Sequence, residues 1–373
     1  MFKTYAKMKK VLITIGVISV IAIGVFVWLK QNSQKEEVLK IGFVLPLTGN
    51  SANHGNDIMR GVYMAYDEFI KNVDTTKIKI QLLLEDNFST TKGSVSAFEK
   101  LVQIHKPWIV IGPVASSDML SMVPIAENSK TILFSPAASS PKLSNIGQYI
   151  FRMALLAPDQ TKLISNYAIN DLHVKSAGVL YMNDETGNSY MNSFVTDFTD
   201  LGGKIILKES FEKTDNDFMS LLLKLKTVKP DVVYISGVPL TVGLILKQAK
   251  EINLKCVFLS NYGSEGNDLL DIAKNAADGF VYTSIPIDTN FIAKYEALHH
   301  SKPDIGVPLG YDAMSIALKL MVENREDKEH FRTALSKLEY SGVTGKTNIL
   351  PSGDASKEVI LKTVRNNKFI VLN

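Results

Sequence analysis

The chain has 373 residues, 46% of them hydrophobic and 21% charged, with 41 Lys and Arg against 38 Asp and Glu, a net charge of +3 and a single cysteine. It is too long for one ordinary core and too apolar for disorder, so about two domains are expected. Cys256 alone excludes an intramolecular disulfide, and no Cys/His cluster has zinc spacing, so no metal site is expected.

The first 30 residues hold five lysines (Lys3, Lys7, Lys9, Lys10, Lys30) and no acid, which leaves the rest slightly acidic. No cluster of basic residues interleaved with aromatics occurs downstream, so nucleic acid is not an expected partner. Val11 to Leu29 carries no charge and, at about 1.5 Å per residue, just reaches across a hydrocarbon core of about 30 Å. Four lysines before it keep residues 1–10 in the cytoplasm as a basic tail and send the chain beyond Lys30 across the membrane. Ala22-Ile23-Gly24 offers a cleavage motif, but cutting there leaves Val25 to Leu29 on the mature end, so an uncleaved anchor over 11–29 is favoured over a signal segment. Residues 30–37 read as a linker.

From Lys40 onward, short β-rich runs alternate with helical periods, the pattern of α/β structure with parallel sheets under helices. Strands are predicted at Ile41–Leu45, Ile78–Leu84, Trp108–Ile111 and Thr131–Phe134, with helices over 55–70, 92–105 and 117–128. The rhythm restarts with strands at Ala177–Met182, Lys204–Leu207, Asp231–Ile235 and Cys256–Leu259 and helices over 188–200, 216–228 and 240–252. A strand at Gly279–Tyr282, helices near 289–300, 308–323 and 328–338, and a closing strand pair around 358–372 complete it. Two doubly wound parallel-sheet lobes make a ligand cleft at the carboxyl ends of their strands. The loops to inspect are 46–55, 112–117, 135–141, 183–188, 236–240 and 260–266.

No G-x-S-x-G, G-x-G-x-x-G or H-E-x-x-H motif occurs, and the Gly345-Lys346-Thr347 run lacks the upstream glycine of a phosphate loop. Neither catalytic residues nor a cofactor is expected, and the chain reads as a non-enzyme. Two loops stand out instead: Gly112-Pro113-Val114-Ala115-Ser116-Ser117, leading into a helix, and Ser135-Pro136-Ala137-Ala138-Ser139-Ser140-Pro141, after a strand. Ser116 or Ser117 is placed at a helix N-cap, where free N–H groups and the dipole favour a carboxylate. The alternative is that these serines only cap and turn the chain, and on the loops alone the two readings balance.

The series Leu39-Lys40-Ile41-Gly42-Phe43 to Leu47-Thr48-Gly49, Gly55, Gly61, Glu85-Asp86-Asn87, Ile111 to Ser117, Ser135 to Ser139 and Gly310-Tyr311-Asp312-Ala313 resembles the leucine/isoleucine/valine-binding protein family. These are solute receptors of ABC importers with the type I periplasmic-binding-protein fold. The resemblance implies lobe 1 at 38–156 plus 284–346 and lobe 2 at 157–283 plus 347–373, closing on the ligand by a hinge. It implies that Ser116, Ser139 and the backbone near Ala137 hold the carboxylate, and help hold the ammonium, of an amino acid or related small carboxylate. It further implies an ABC permease with its ATPase as partners and an extracytoplasmic location, tethered by the N-terminal helix; a ligand-sensing ectodomain with a separate signalling partner is the alternative.

Other family pocket positions are occupied differently here. His54 stands where an aromatic residue is usual, as a ligand contact or a solvated residue of the turn Asn50 to Gly55. Thr186 replaces an aromatic before Gly187, and Val238 follows Gly237 where an aromatic is frequent. Tyr262 takes the place of the acid that completes the ammonium site, unless a loop shift brings in Glu265. Tyr311-Asp312 is read as packing support in lobe 1.

Overall fold

The computed structural model describes residues 15–16, 18–24, 37–73, 78–324 and 327–372. Most of the 11–29 run and the 30–37 linker lie outside the described residues. Those described, 15–16 and 18–24, are helical, and no helix among the described residues is long and apolar enough to cross a membrane. The chain divides into a small unit, residues 1–38 with 74–79, and a large one, 39–73 with 80–373. The β-sheets and the helices packed on them belong to the large unit, save residues 37–38 and 78–79 at the starts of two strands.

The first sheet has five strands: β1 (Glu37–Leu45), β2 (Ile78–Asp86), β3 (Ile109–Ile111), β4 (Ile132–Ser135) and β5 (Ile150–Arg152). Its spatial order is β2-β1-β3-β4-β5, with parallel registers such as Ile41 beside Ile109 and Val110 beside Leu133. Three helices connect the first four strands: α1 (Ala52–Asn72), α2 (Thr91–Lys100) and α3 (Ser116–Ser129). Every residue of β3 and β4 is buried, as expected of parallel strands covered on both faces. Phe98, Val110, Met119, Met122 and Leu133 form the core of this part.

The second sheet has seven strands in the order β15-β14-β10-β9-β8-β6-β7. The parallel ones are β6 (Ser176–Met182), β7 (Lys204–Phe211), β8 (Val232–Ser236), β9 (Val257–Ser260) and β10 (Val281–Ser284); β14 (Ile360–Arg365) and β15 (Lys368–Val371) add an antiparallel edge. Around it lie α4 (Ala157–Asn166), α5 (Glu185–Asp200), α6 (Met219–Val228), α7 (Pro239–Glu251) and α8 (Asn267–Ala273). Phe211, Phe218, Leu222, Ile245 and Tyr282 centre its core.

The remaining helices are α9 (Thr289–His299), α10 (Gly306–Glu323) and α11 (Lys328–Leu335). Backbones of α1 and α10 nearly touch: a Cβ on Gly61 would lie 1.9 Å from the Val307 carbonyl oxygen, and one on Gly310 would lie 2.0 Å from that of Ile58. Only glycine permits this approach, and it fixes the second and third turns of α1 beside the first two turns of α10.

The parallel α/β pattern is as the periodicity predicts, with several differences, among them the short helix α8, which no predicted element covers. The predicted helix over 92–105 is α-helical only to Lys100 and continues as a π-helical turn over Leu101–His105, ended by Lys106 at φ 52°. Strand β5 and helix α4, between the two predicted rhythms, have three and ten residues; the strand is too short to show a period. A small antiparallel sheet of β11 (Glu339–Gly342), β12 (Gly345–Ile349) and β13 (Ala355–Lys357) is held from a distance: the buried Asp312 of α10 accepts the Val343 and Thr344 backbone N–H groups and the Thr344 hydroxyl. Asp312 thus braces a hairpin, while the Tyr311 hydroxyl donates to Glu68 at 2.9 Å.

Candidate functional site

Loops leaving the carboxyl ends of the strands in both sheets meet around a cavity of about 330 Å³. All six loops singled out from the sequence contribute to its lining. The volume falls at the lower end of the range for small-molecule sites.

The hydroxyl-rich loops are built as one unit. The Ser135 hydroxyl donates to the Pro113 carbonyl at 2.6 Å and accepts the Ala138 N–H at 2.9 Å and the Ala137 N–H at 3.3 Å. Fully buried Ser116 accepts the N–H groups of Ser139 and Ser140 at 3.2 and 3.1 Å. Arg152, also buried, reaches underneath to the carbonyls of Ala138 and Ser140 while pairing with Asp354 at 2.6 Å. These buried polar groups of the loops therefore have native partners, as burial demands.

Ser139 is the exception. It is 1% exposed and lines the cavity, and its Oγ, which faces the Tyr190 hydroxyl, makes no hydrogen bond of good geometry among the described residues. A buried hydroxyl without a partner costs about 1–3 kcal/mol, which a ligand oxygen can recover. Ser116 serves otherwise than the N-cap reading expects. Ala115 holds the cap position of α3, so neither Ser116 nor Ser117 caps the helix; the Ser116 hydroxyl is consumed by the neighbouring loop and lies behind the cavity wall. Its backbone N–H donates to the Thr186 hydroxyl at 3.3 Å.

His54, Ala137, Ser139, Thr186, Val238 and Tyr262 are brought together around the cavity. His54 lies in the first turn of α1 with its Nε2 buried and unpartnered among the described residues. Burial, and secondarily the charge of Lys213, lower its pKa to about 4, so the ring is neutral near pH 7. Thr186 lies in the first turn of α5, whose N-terminus is capped by the Asp184 carboxylate accepting the Gly187 N–H at 2.7 Å. Val238 precedes Pro239 at the start of α7. Tyr262 donates its phenolic hydrogen to the Ala137 carbonyl at 2.6 Å, and its N–H donates to Gln160 Oε1 at 3.2 Å. Glu265 also lines the cavity, but it is paired with Lys362 at 2.8 Å and accepts the Ser284 hydroxyl at 2.6 Å.

Several lining residues escape the sequence reading: Asp57, Tyr190, Lys213, Asp268 and Asp304. Asp57 lies one turn beyond His54 on α1, so helical spacing from a suspected contact is the available signal. Lys213 lies just beyond β7, whose carboxyl end the predicted strand, stopping at Leu207, does not reach. Burial lowers the Lys213 pKa, against the opposing pull of Asp118 and Asp184. Gln160 works behind the wall, accepting from Tyr262 and from the Thr283 hydroxyl at 2.8 Å.

The two sets of loops are bridged directly. Glu185 accepts from Ser140 Oγ and pairs with Lys142, both at 2.8 Å; Asp268 accepts both contacts of the Asn53 amide, at 2.8 and 3.0 Å; the Asn267 N–H donates to Asp304 at 3.0 Å. These contacts tie the walls around a partly open space furnished with polar groups, an arrangement that can grip a solute.

Comparison with known proteins agrees. A family model described as periplasmic binding protein matches residues 38–367. A leucine-, isoleucine-, valine-, threonine- and alanine-binding protein of Pseudomonas aeruginosa is 25% identical over 330 residues, covering 86% of this chain and 88% of that protein. A leucine binding protein, LivK, of Thermotoga maritima superposes with a TM-score of 0.84 at 26% identity, over 90% of this chain and 98% of that one. A solute-binding protein of a Rhodopseudomonas palustris ABC transporter in complex with benzoate shares the fold alone, with a TM-score of 0.83 at 20% identity over 90% and 95% of the two chains. The chain therefore belongs to the periplasmic binding protein family, as a non-enzymatic solute-binding protein of the type I α/β fold.

Proposed function

We propose that this protein is the extracytoplasmic receptor of an ABC importer, capturing a small carboxylate, an amino acid or a close relative, between two lobes that close by a hinge. The observation that carries the reading is the buried, unpartnered Ser139 hydroxyl on the cavity wall, beside the Ala137 backbone. A carboxylate oxygen accepting that hydroxyl gains a charge-assisted bond of about 1.5–3 kcal/mol and relieves a buried group.

In this proposal Ser139 and the Ala137 backbone face the carboxylate, and His54, Thr186, Val238 and Tyr262 shape the rest of the pocket. Ser116 acts through the Ser139 and Ser140 amides it holds. The lobes are residues 38–156 with 284–346 and 157–283 with 347–373. Function then lies in the greater affinity of the closed form for solute, and the bridges from Asn53, Ser140 and Lys142 stabilise closure. Residues 11–29 tether the receptor to the membrane, near the permease and ATPase that receive its cargo. Relatives named for branched-chain amino acids support a carboxylate-bearing ligand.

The test is a thermal-shift screen of the full chain against amino acids, keto acids, aromatic acids and short amides, because a bound ligand raises the unfolding temperature by mass action. Stabilisation by at least one carboxylate, lost in its amide, is the expected result; stabilisation by amides alone overturns the reading.

A further inference from the structure

One end of the cavity has a charge balance that a simple carboxylate leaves unmet. Asp57 of α1, Asp304 just before α10 and Asp268 at the start of α8 all line it. Asp57 is 5% exposed, and its carboxyl lies within hydrogen-bonding reach of that of Asp304. Burial and then the charge of Asp57 raise the Asp304 pKa; burial also raises that of Asp57. Arg60, at 3.1 Å from Asp57, is the cation paired with the group, and its side chain is 45% exposed. The other partners are neutral: the Asn267 N–H on Asp304 and the Asn53 amide on Asp268. Glu265 and Lys362 cancel each other nearby.

Acids near helix starts are ordinary, and three of them alone would indicate only favourable dipole placement. Two independent features point to a ligand. Ser139 presents a 1% exposed, unpartnered hydroxyl to the same cavity, and His54, one turn from Asp57 on the same helix, presents an unpartnered Nε2. Meanwhile the Ala137 carbonyl, which could take an ammonium beside that hydroxyl, already accepts from Tyr262, and Glu265 is held by Lys362 and Ser284. The negative charge open to a ligand cation therefore lies at the α1 and α10 end, where Asp57 pairs with the half-exposed Arg60 and Asp304 accepts one backbone N–H.

We infer that the cavity takes a dipolar solute, its carboxylate at Ser139 and a separate cationic group against Asp57 and Asp304. The inference rests on the proposed capture of a carboxylate and names the class of carboxylate captured. The cation replaces the water each carboxyl loses on burial, and it lets both ionise together where otherwise one repels the other.

Calorimetric titration of the full chain with 5-aminopentanoate, pentanoate, lysine, norleucine and 1,5-diaminopentane tests it. 5-Aminopentanoate and lysine should each bind at least tenfold tighter than pentanoate and norleucine, which lack the ω-ammonium, and Asp57→Asn with Asp304→Asn should reduce that ratio to within about twofold. Thermal unfolding checks that the double variant folds, and Asp304→Asn alone, which relieves like-charge repulsion, should lower the ratio by itself. Equal binding of pentanoate and 5-aminopentanoate overturns the cation end while leaving carboxylate capture intact. Binding of the diamine and of neither acid type overturns carboxylate capture and keeps the acidic end as a cation subsite. Failure of all five probes to bind overturns the inference.

Discussion

The Tyr262 hydroxyl donates to the Ala137 carbonyl at 2.6 Å, joining the loop after β9 to the loop after β4 across the cavity. Both groups are buried, so the bond is made without water competing for either partner. Tyr262→Phe should weaken closure and lower solute affinity about fivefold, the equivalent of roughly 1 kcal/mol for one neutral hydrogen bond. Calorimetry on the variant, with an unfolding temperature near that of the parent, checks this; unchanged affinity would show that the bond plays no part in closure.

Ser116 and Ser139 should separate when each is replaced by alanine. Ser116→Ala orphans two buried backbone N–H groups and should destabilise the fold by about 1–3 kcal/mol. Ser139→Ala removes a hydroxyl that makes no hydrogen bond of good geometry among the described residues, so its unfolding temperature should hold or rise while carboxylate affinity drops about tenfold. Chemical denaturation together with ligand titration distinguishes the two; an affinity loss confined to Ser116→Ala would reverse their assigned roles.

Arg152 is a structural keystone beneath the same loop. Replacing it with methionine leaves Asp354 buried without its cation and strips donors from the Ala138 and Ser140 carbonyls, for an expected loss of about 3–5 kcal/mol. Equilibrium unfolding measures it, and a loss below about 1 kcal/mol would mean that the loop holds itself.

His54 carries a pH signature. Its pKa falls from 6.5 to about 4 on folding, so the folded state resists the protonation that the unfolded state accepts. The stability this contributes is complete above pH 6.5 and is lost as pH falls toward 4. Asp57 and Asp304 act oppositely, since their raised values favour the folded state as pH falls. His54→Gln isolates the histidine: its unfolding temperature should fall less steeply than the parent's between about pH 7 and about pH 4.5. Parallel curves from scanning calorimetry would place His54 in solvent.

Most of the strands and helices are legible in local pattern, because burial on two faces of a parallel sheet and one face of a helix leaves a period in the sequence. Ile109–Ile111 and the Ile58, Met59, Val62, Ala65 stripe of α1 are such cases. The six loops around the cavity are legible for the same reason, since strand ends in α/β sheets locate ligand sites. Ser116 stands out in the sequence, but which partner its hydroxyl takes depends on the approach of Ser139 and Ser140, 23 and 24 residues away. The pairing of Glu265 with Lys362 spans 97 residues, and the meeting of Asp57 with Asp304 brings two distant helix starts together through glycines at 61 and 310. The sequence by itself determined the parallel α/β class, the family and the loops that face the cavity. Only the tertiary structure decided which of the polar side chains there are already satisfied and which are free, because a hydrogen bond is a property of two groups and only folding brings the second one near.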